Sequence, residues 1–131
     1  MSIDTTDSHL SSDYAQALLL HIATWQNVTT IIVHGGSVFE FKGVFPAGTM
    51  AEGYYNLSGD SGFEGHLKLS AIKHIELQAK THRGRDSYAF VFVDANNDVI
   101  FKIFLGRDAQ GNVHPQQLDA FMTIQQEKRV L

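Results

Sequence analysis

The fold is decided by residues 87–105, which read SYAFVFVDANNDVIFKIFL. Two strongly apolar segments, residues 88–93 and 99–105, flank the polar turn 94–98. Short segments rich in β-branched and aromatic residues, joined by an Asn/Asp turn, predict an antiparallel hairpin. Both strands are apolar on both faces, so both faces of the sheet should be covered. A helix can cover one face, and a second subunit or a flat ligand could cover the other.

Further strands are expected before this hairpin. The best signal is a second hairpin, in which residues 28–34 and 37–42 are joined by the turn Gly35-Gly36. Other strands are predicted over residues 53–57, 63–69 and 72–78. Residues 43–48 and the polar, basic segment 80–86 are predicted as loops.

A helix is predicted at each end of the sheet region. Tyr14, Leu18 and Trp25 recur at helical spacing behind good N-cap residues, which predicts a helix over residues 13–25. A second helix should begin near Pro115, which suits a first turn. The sequence therefore predicts one α+β domain over residues 1–131, a mainly antiparallel sheet flanked by N- and C-terminal helices. Residues 1–10 are polar and aperiodic, and are expected to be disordered.

Composition excludes several classes of function. The chain has 131 residues, a net charge of −4 and no cysteine. Without cysteine there is no disulfide scaffold, cysteine–zinc site, iron–sulfur cluster or thiol nucleophile. Scattered Lys and Arg give no footprint for a phosphate backbone, so nucleic acid is not an expected partner. No segment reads as a signal peptide or a bilayer span, and we expect a cytoplasmic protein.

The seven histidines are the main candidates for ligands. His66 shares a strand face with Glu64 and Lys68, away from the apolar residues, so it should face solvent or a site. His34 ends a strand of Val, Thr and Ile. A haem site needs an axial donor, an apolar slot and cations for the propionates. The chain has candidates for each, and this inventory permits haem binding without demonstrating it. The candidates for the apolar slot are the aromatic residues Phe39, Phe41, Tyr54, Phe90 and Phe92.

A resemblance sharpens this interpretation. The segments that carry it are NVTT (27–30), His34, FEFKG (39–43), GYYNL (53–57), Gly65-His66 and KIFLGRD (102–108). In this order they resemble the bacterial intracellular haem-utilisation carriers of the HutX/ChuX type. The last segment is the most distinctive of the six. The resemblance covers about three-quarters of the chain from Asn27 onward.

The resemblance implies a twisted antiparallel sheet with flanking helices, assembled as a homodimer. It also implies non-covalent b-type haem as a transported ligand, which a carrier buffers or passes to a haem-degrading enzyme. The family's two haem-linked histidines fall on His34 and His66, either of which could ligate iron. Lys68, Arg83 and Arg85 are the expected partners of the propionates.

Two departures leave other functions open. Relatives carry a longer helical N-terminal segment, and some have histidines where this chain has residues 49–52, TMAE. Met50 is an alternative axial donor at that place. The first alternative function is reductant-dependent haem breakdown, since haem itself can activate oxygen with few protein residues. The second is a dimeric interaction domain that has lost its ligand.

Overall fold

The computed structural model describes residues 8–130 and shows a mainly antiparallel α+β fold, as the sequence predicts, but its strands are divided between two sheets. The large sheet has the order β1-β7-β8-β9-β2-β3, and the small sheet has the order β4-β5-β6. The strands are β1 (His9–Ser11), β2 (Val28–His34), β3 (Ser37–Gly43), β4 (Gly48–Ala51), β5 (Tyr54–Leu57), β6 (Gly65–Leu67), β7 (His74–His82), β8 (Arg85–Val93) and β9 (Val99–Phe104). The helices are α1 (Ala15–Ile22) and α2 (Pro115–Glu127).

The hairpin β8–β9 forms the centre of the large sheet, and its two faces are covered unequally. One face, here the core face, carries Phe90, Phe92 and Ile103, which pack with residues of both helices. Ala89, Val91 and Val93 point to the other face, here the open face, where only the half-buried Phe104 joins them. Within residues 8–130, no helix is long and apolar enough to span a bilayer.

The predicted loop over residues 80–86 is wrong. Strands β7 and β8 continue through it and pair in unbroken register from His74↔Val93 to His82↔Arg85. Only Arg83 and Gly84 form the turn, with φ of 53° and 77°. Two successive positive φ values fit a two-residue hairpin turn, whose twist matches that of long strands. The polar composition reflects exposure at the end of the sheet rather than a break in the strands.

The small sheet contains a strand that the sequence did not indicate. Strand β4 pairs with β5 through a turn at Glu52 and Gly53, with φ of 57° and 81°. Its sequence, Gly-Thr-Met-Ala, has no alternation of apolar and polar residues, so the pattern gave no strand signal. The predicted strand 63–69 is shorter in the structure, because only residues 65–67 pair with β5.

The N-terminal region is more ordered and less helical than expected. The prediction of disorder over residues 1–10 is wrong for His9 and Leu10, which pair with β7, and Leu10 is buried. Residues 1–7 lie outside the described residues. The predicted helix 13–25 begins as a single 3₁₀ turn, Ser12–Tyr14, and ends at Ile22. Trp25 is buried beyond the end of the helix, so its spacing from Tyr14 and Leu18 reflects burial in the core and not membership of the helix.

A buried polar cluster joins the end of β9 to α2. Its centre is Gln117, which is fully buried and accepts a 2.7 Å hydrogen bond from the backbone N–H of Gly106. The side-chain amide of Gln117 donates to the backbone carbonyl of Asn27 at 3.1 Å. Asn27 in turn contacts His114 Nε2 at 2.7 Å through Oδ1 and donates to the carbonyl of Arg107. These bonds fix the chain where β9 leaves the sheet.

Candidate functional site

His66 lies on the outer face of the small sheet, as its position beside Glu64 and Lys68 predicted. The neighbouring Leu67 turns inward with Tyr55 and Leu57, which are buried in the core. His66 and Lys68 are exposed, so the imidazole and the ammonium group lie on a surface that a ligand can reach.

The orientation of the His66 ring is fixed by Asn56, its direct partner on β5. His66 Nδ1 lies 2.5 Å from Asn56 Oδ1. An amide oxygen can only accept, so Nδ1 must carry the proton and donate it. Asn56 is held in this orientation because its Nδ2 group lies 3.1–3.2 Å from the carbonyls of Thr49, Ala51 and Tyr54. The second imidazole nitrogen, Nε2, therefore keeps its lone pair free for a metal.

Tyr54 lies next to His66 on the same face. The two rings meet edge to face with their centroids 6.2 Å apart, and Tyr54 is 41% exposed. A phenol oxygen is a second atom type that ligates haem iron in proteins. Met50, the alternative donor, pairs with Tyr55 rather than with Tyr54. Alternation along β4 therefore directs Met50 away from the face that carries His66.

His34 occupies a different element, the tip of the β2–β3 hairpin. Strand β9 pairs with β2 only over residues 29–31, so residues 32–39, here called the hairpin arm, are not paired with β9. The arm exposes Ile32, Val33, Val38 and Phe39. His34 lies on the face of the arm shared with Ile32 and Phe39, since these residues alternate with or pair across from one another. Among residues 8–130, no hydrogen bond, ion pair or ring contact joins His34 to His66.

The structure does not bring Arg83 and Arg85 to His34. Ala89 on β8 and Thr29 on β2 both pair with Phe104 on β9, so they lie level with each other, and β8 and β2 run in the same direction. Arg85 lies four positions before Ala89, whereas His34 lies five positions after Thr29. At about 3.3 Å per residue, the two lie roughly 30 Å apart along the sheet. The Arg85 guanidinium instead donates to the carbonyl of Gly111 at 2.9 Å. A haem held by His34 in one protomer therefore cannot reach these arginines in the same protomer.

The sequence interpretation missed two residues of this surface, Tyr54 and Asn56. Tyr54 appeared only among candidate aromatics for an apolar slot, and Asn56 only as part of a familiar segment. Their relationship to His66 depends on the pairing of β5 with β6, which places Asn56 directly opposite His66. The signal available in the sequence was the alternation in GYYNL (53–57), which sets Tyr54 and Asn56 on one face and Tyr55 and Leu57 on the other.

Comparisons with known proteins show the family to which the chain belongs. The family model described as Haem utilisation ChuX/HutX matches residues 8–124. The intracellular heme transport protein HutX of Vibrio cholerae is 42% identical to this chain over 121 residues, which is 92% of this chain. The chain spans 63% of the length of that relative.

Solved structures of similar proteins share the fold. A crystal structure of a protein from Erwinia carotovora superposes with a TM-score of 0.87 at 35% identity, covering 93% of this chain and 76% of the other. The heme-binding protein ChuX superposes with a TM-score of 0.84 at 30% identity, covering 92% of this chain and 76% of that one. The overall fold thus recurs in proteins whose sequences differ from this one at about two-thirds of the aligned positions.

Proposed function

Because this chain belongs to the ChuX/HutX haem-utilisation family, we propose that it binds haem and works as an intracellular haem carrier. The related HutX is named an intracellular heme transport protein, and the related ChuX a heme-binding protein. The proposed ligand is b-type haem, bound without covalent attachment. The absence of cysteine supports this, since thioether attachment of haem requires cysteine thiols.

One observation carries the assignment of the iron ligand. In the neutral imidazole, the bond from His66 Nδ1 to Asn56 Oδ1 leaves Nε2 unprotonated, and the residue is exposed. Metal-binding histidines in proteins almost always donate their other N–H to such an acceptor, which fixes the tautomer and the ring direction. His34 has no comparable partner among the described residues. We therefore favour His66 as the axial ligand and place His34 on a separate surface, the hairpin arm.

The residues around His66 fit the rest of the ligand. Lys68 follows His66 on the same exposed face and offers an ammonium group for a propionate. Tyr54 offers a ring for contact with the macrocycle and a phenol oxygen near the iron position. Arg83 and Arg85 remain candidate partners of the propionates, and toward a haem held by His34 they could act only from a second protomer, because they lie roughly 30 Å from it along the sheet. Haem bound at His66 would be accessible from solvent, as transfer to another protein requires.

Carriage is favoured over haem breakdown because the surface around His66 is open. Haem supplies its own oxygen chemistry, and an enzyme using it needs a closed pocket that excludes competing reactions. His66, Tyr54 and Lys68 are all exposed. A haem-degrading enzyme is the expected recipient of the ligand.

A haemin titration of the untagged protein tests the proposal. Wild type should saturate at a fixed ratio with a ligated Soret band, and His66→Ala should lose that band. His34→Ala tests the other histidine, and His21→Ala, on α1, is the matched control that should behave like wild type. If His66→Ala keeps the wild-type spectrum and affinity, the ligand assignment fails. If wild type behaves like haemin with an unrelated protein, the carrier function fails as well, and an interaction domain without ligand takes its place.

A reductant separates carrier from enzyme in the same samples. Haem bound to a carrier should keep its spectrum, apart from reduction of the iron, when ascorbate is added in air. Loss of the haem spectrum with release of iron, dependent on His66, would instead establish haem breakdown. Catalase is included so that peroxide formed in solution cannot destroy the haem.

The homodimer is a second part of the proposal. Strand β3 is an edge strand, and unpaired edges attract another chain unless they are protected. The part of β3 that belongs to the hairpin arm carries Val38 and Phe39, each 59% exposed. We propose that a second copy covers the arm, which would bring His34 close to the partner subunit. Light scattering should show a dimer for wild type and a monomer for Phe39→Lys. Met122→Lys, at an exposed apolar residue on α2 beside Thr81 and Asp86 at the other end of the large sheet, should remain dimeric. A monomeric wild type would exclude this assembly.

A further inference from the structure

A cluster outside the haem surface brings together three potential metal ligands. His9 on β1 pairs directly with Glu76 on β7, and His74 precedes Glu76 by two residues on the same face. All three side chains lie on the open face of the large sheet, because Ile75 and Leu77 between and beside them are buried in the core. The cluster therefore lies on the opposite face of the sheet from His34, and near the other edge.

The donor atoms of these residues converge. His74 Nε2 lies 3.1 Å from Glu76 Oε2, and His9 Nε2 lies 3.8 Å from the same oxygen. The two imidazole rings are stacked, with centroids 4.3 Å apart and planes inclined by 17°. One ligand atom from each residue lies within 4.8 Å of the other two. His9 is exposed and the other two residues are partly buried, and only small side-chain rotations would be needed for the three atoms to share one metal ion.

We propose that His9, His74 and Glu76 form a binding site for a divalent transition metal, with Zn²⁺ as the best match. Two imidazole nitrogens and one carboxylate oxygen are the donor set of three-ligand zinc sites, in which water takes the fourth position. The same donors suit Mg²⁺ and Ca²⁺ poorly, since these ions prefer oxygen alone. When the metal binds, the proton shared between His74 Nε2 and Glu76 moves to solvent or to His74 Nδ1. His9 and His74 then bind the metal as neutral imidazoles.

The position of the site indicates what binding would do. Strand β1 has three residues, and among the strands of residues 8–130 it pairs with β7 alone, at the edge of the sheet. A metal held by His9 from one strand and by His74 and Glu76 from the other would join them beyond their backbone hydrogen bonds. Since the site would form only in the folded chain, metal should raise the melting temperature.

Calorimetric titration of the untagged, EDTA-treated full chain with ZnCl₂ tests the site. Wild type should bind one Zn²⁺ per chain, and His9→Ala, His74→Ala and Glu76→Gln should each weaken binding by at least about 10-fold, as loss of a metal-site group does. His21→Ala is the control and should bind like wild type. Co²⁺ should give the visible absorption of a four-coordinate site in wild type and lose it in His9→Ala.

Two results would overturn the proposal. One is a wild type that binds Zn²⁺ no more tightly than His9→Ala, which would leave only a hydrogen-bonded cluster. The other is Zn²⁺ binding that persists in His9→Ala and Glu76→Gln but disappears in His66→Ala, which would assign the metal to the haem surface. His9 is exposed, so His9→Ala should fold, and its melting curve in EDTA checks this.

Discussion

His66 Nδ1 lies 2.5 Å from Asn56 Oδ1, and Asn56 is itself held by three backbone carbonyls of the β4–β5 hairpin. The hairpin therefore controls which imidazole nitrogen of His66 donates to Asn56 and which is left without that partner. A surface histidine normally samples both tautomers and several ring orientations. Here the tautomer and the ring orientation of His66 are fixed without a ligand, so less conformational entropy is lost on binding.

Replacing Asn56 should weaken haem binding although His66 remains. In Asn56→Ala the His66 ring loses its acceptor and the proton can move to Nε2, which competes with the iron. Outer partners of this kind typically contribute 10–100-fold to metal affinity, so we expect a loss of about 10-fold or more. Haemin titration measures this, with Asn112→Ala on the surface as the control. An affinity for Asn56→Ala within error of wild type would show that the bond does not orient the ligand.

The glycine at position 106 should tolerate no side chain. A Cβ there would lie 1.7 Å from the carbonyl oxygen of Asn27, which is backbone and cannot rotate aside. Gly106→Ala must therefore shift the end of β9, and overpacking of this kind costs about 1–3 kcal/mol or more in the free energy of unfolding. Urea unfolding measures the loss.

Gly65 provides the matched comparison for Gly106. It lies in strand β6, and a Cβ added to it meets nothing within 4 Å. Gly65→Ala should leave stability unchanged or raise it by about 0.5–1 kcal/mol, because alanine loses less backbone entropy on folding. Equal losses in the two variants would contradict the close approach at Gly106.

Gln117 is expected to be essential for stability despite being polar. Its side chain links the N–H of Gly106 to the carbonyl of Asn27 in a fully buried setting. In Gln117→Leu both backbone groups lose their partner, and each buried unsatisfied group costs about 1–3 kcal/mol. Gln116→Leu, exposed on the same helix, should change the free energy of unfolding by less than about 0.5 kcal/mol. If Gln117→Leu lowered the free energy of unfolding only slightly, water would have to replace the amide group as the hydrogen-bond partner.

The buried polar cluster around Gln117 shows which segments of the resemblance have structural roles. The most distinctive segment, ending in Gly106, Arg107 and Asp108, makes structural contacts. Arg107 donates to the carbonyls of Gly111 and Asp86, and Asp108 accepts from the backbone of its own turn. Asn27, which opens the first matched segment, bonds to the same region. These segments specify the fold, and GYYNL with His66 specifies the candidate ligand surface.

Local patterns were sufficient to predict most of the large sheet. Gly35-Gly36 fixed one hairpin, and the apolar segments on each side of residues 94–98 fixed another, because turn chemistry and alternation act within a few residues. Strand β4 and the full length of β7–β8 were missed although each strand pairs with its neighbour in sequence through a two-residue turn. Their polar or non-alternating sequences gave no local strand signal, and the first turn positions, Glu52 and Arg83, are not glycine. The separation of Arg83 and Arg85 from His34 was also beyond the sequence, because it follows from strand order and direction.

Tyr55 should make the protein sensitive to alkaline pH. Burial raises the pKa of its hydroxyl above the ordinary value of 10.0, and the nearby backbone of Gly48 offsets this only in part. The offset is weak because, within residues 8–130, the hydroxyl has no hydrogen-bond partner of good geometry. The folded state therefore holds the phenol proton more tightly than the unfolded state, and stability is complete below pH 10. It falls as pH rises from about 10 through the folded-state pKa, by at most about 1.4 kcal/mol per pH unit.

Tyr55→Phe should remove this dependence while sparing neutral stability. At pH 7 the variant loses only an unpaired buried hydroxyl, so its free energy of unfolding should stay within about 1 kcal/mol of wild type. Above pH 10 its urea midpoint should fall less steeply than that of wild type. Part of the fall should remain, because burial and the nearby Asp86 also raise the pKa of Tyr88. Parallel pH profiles for wild type and Tyr55→Phe would show that the Tyr55 proton is held no more tightly in the folded state.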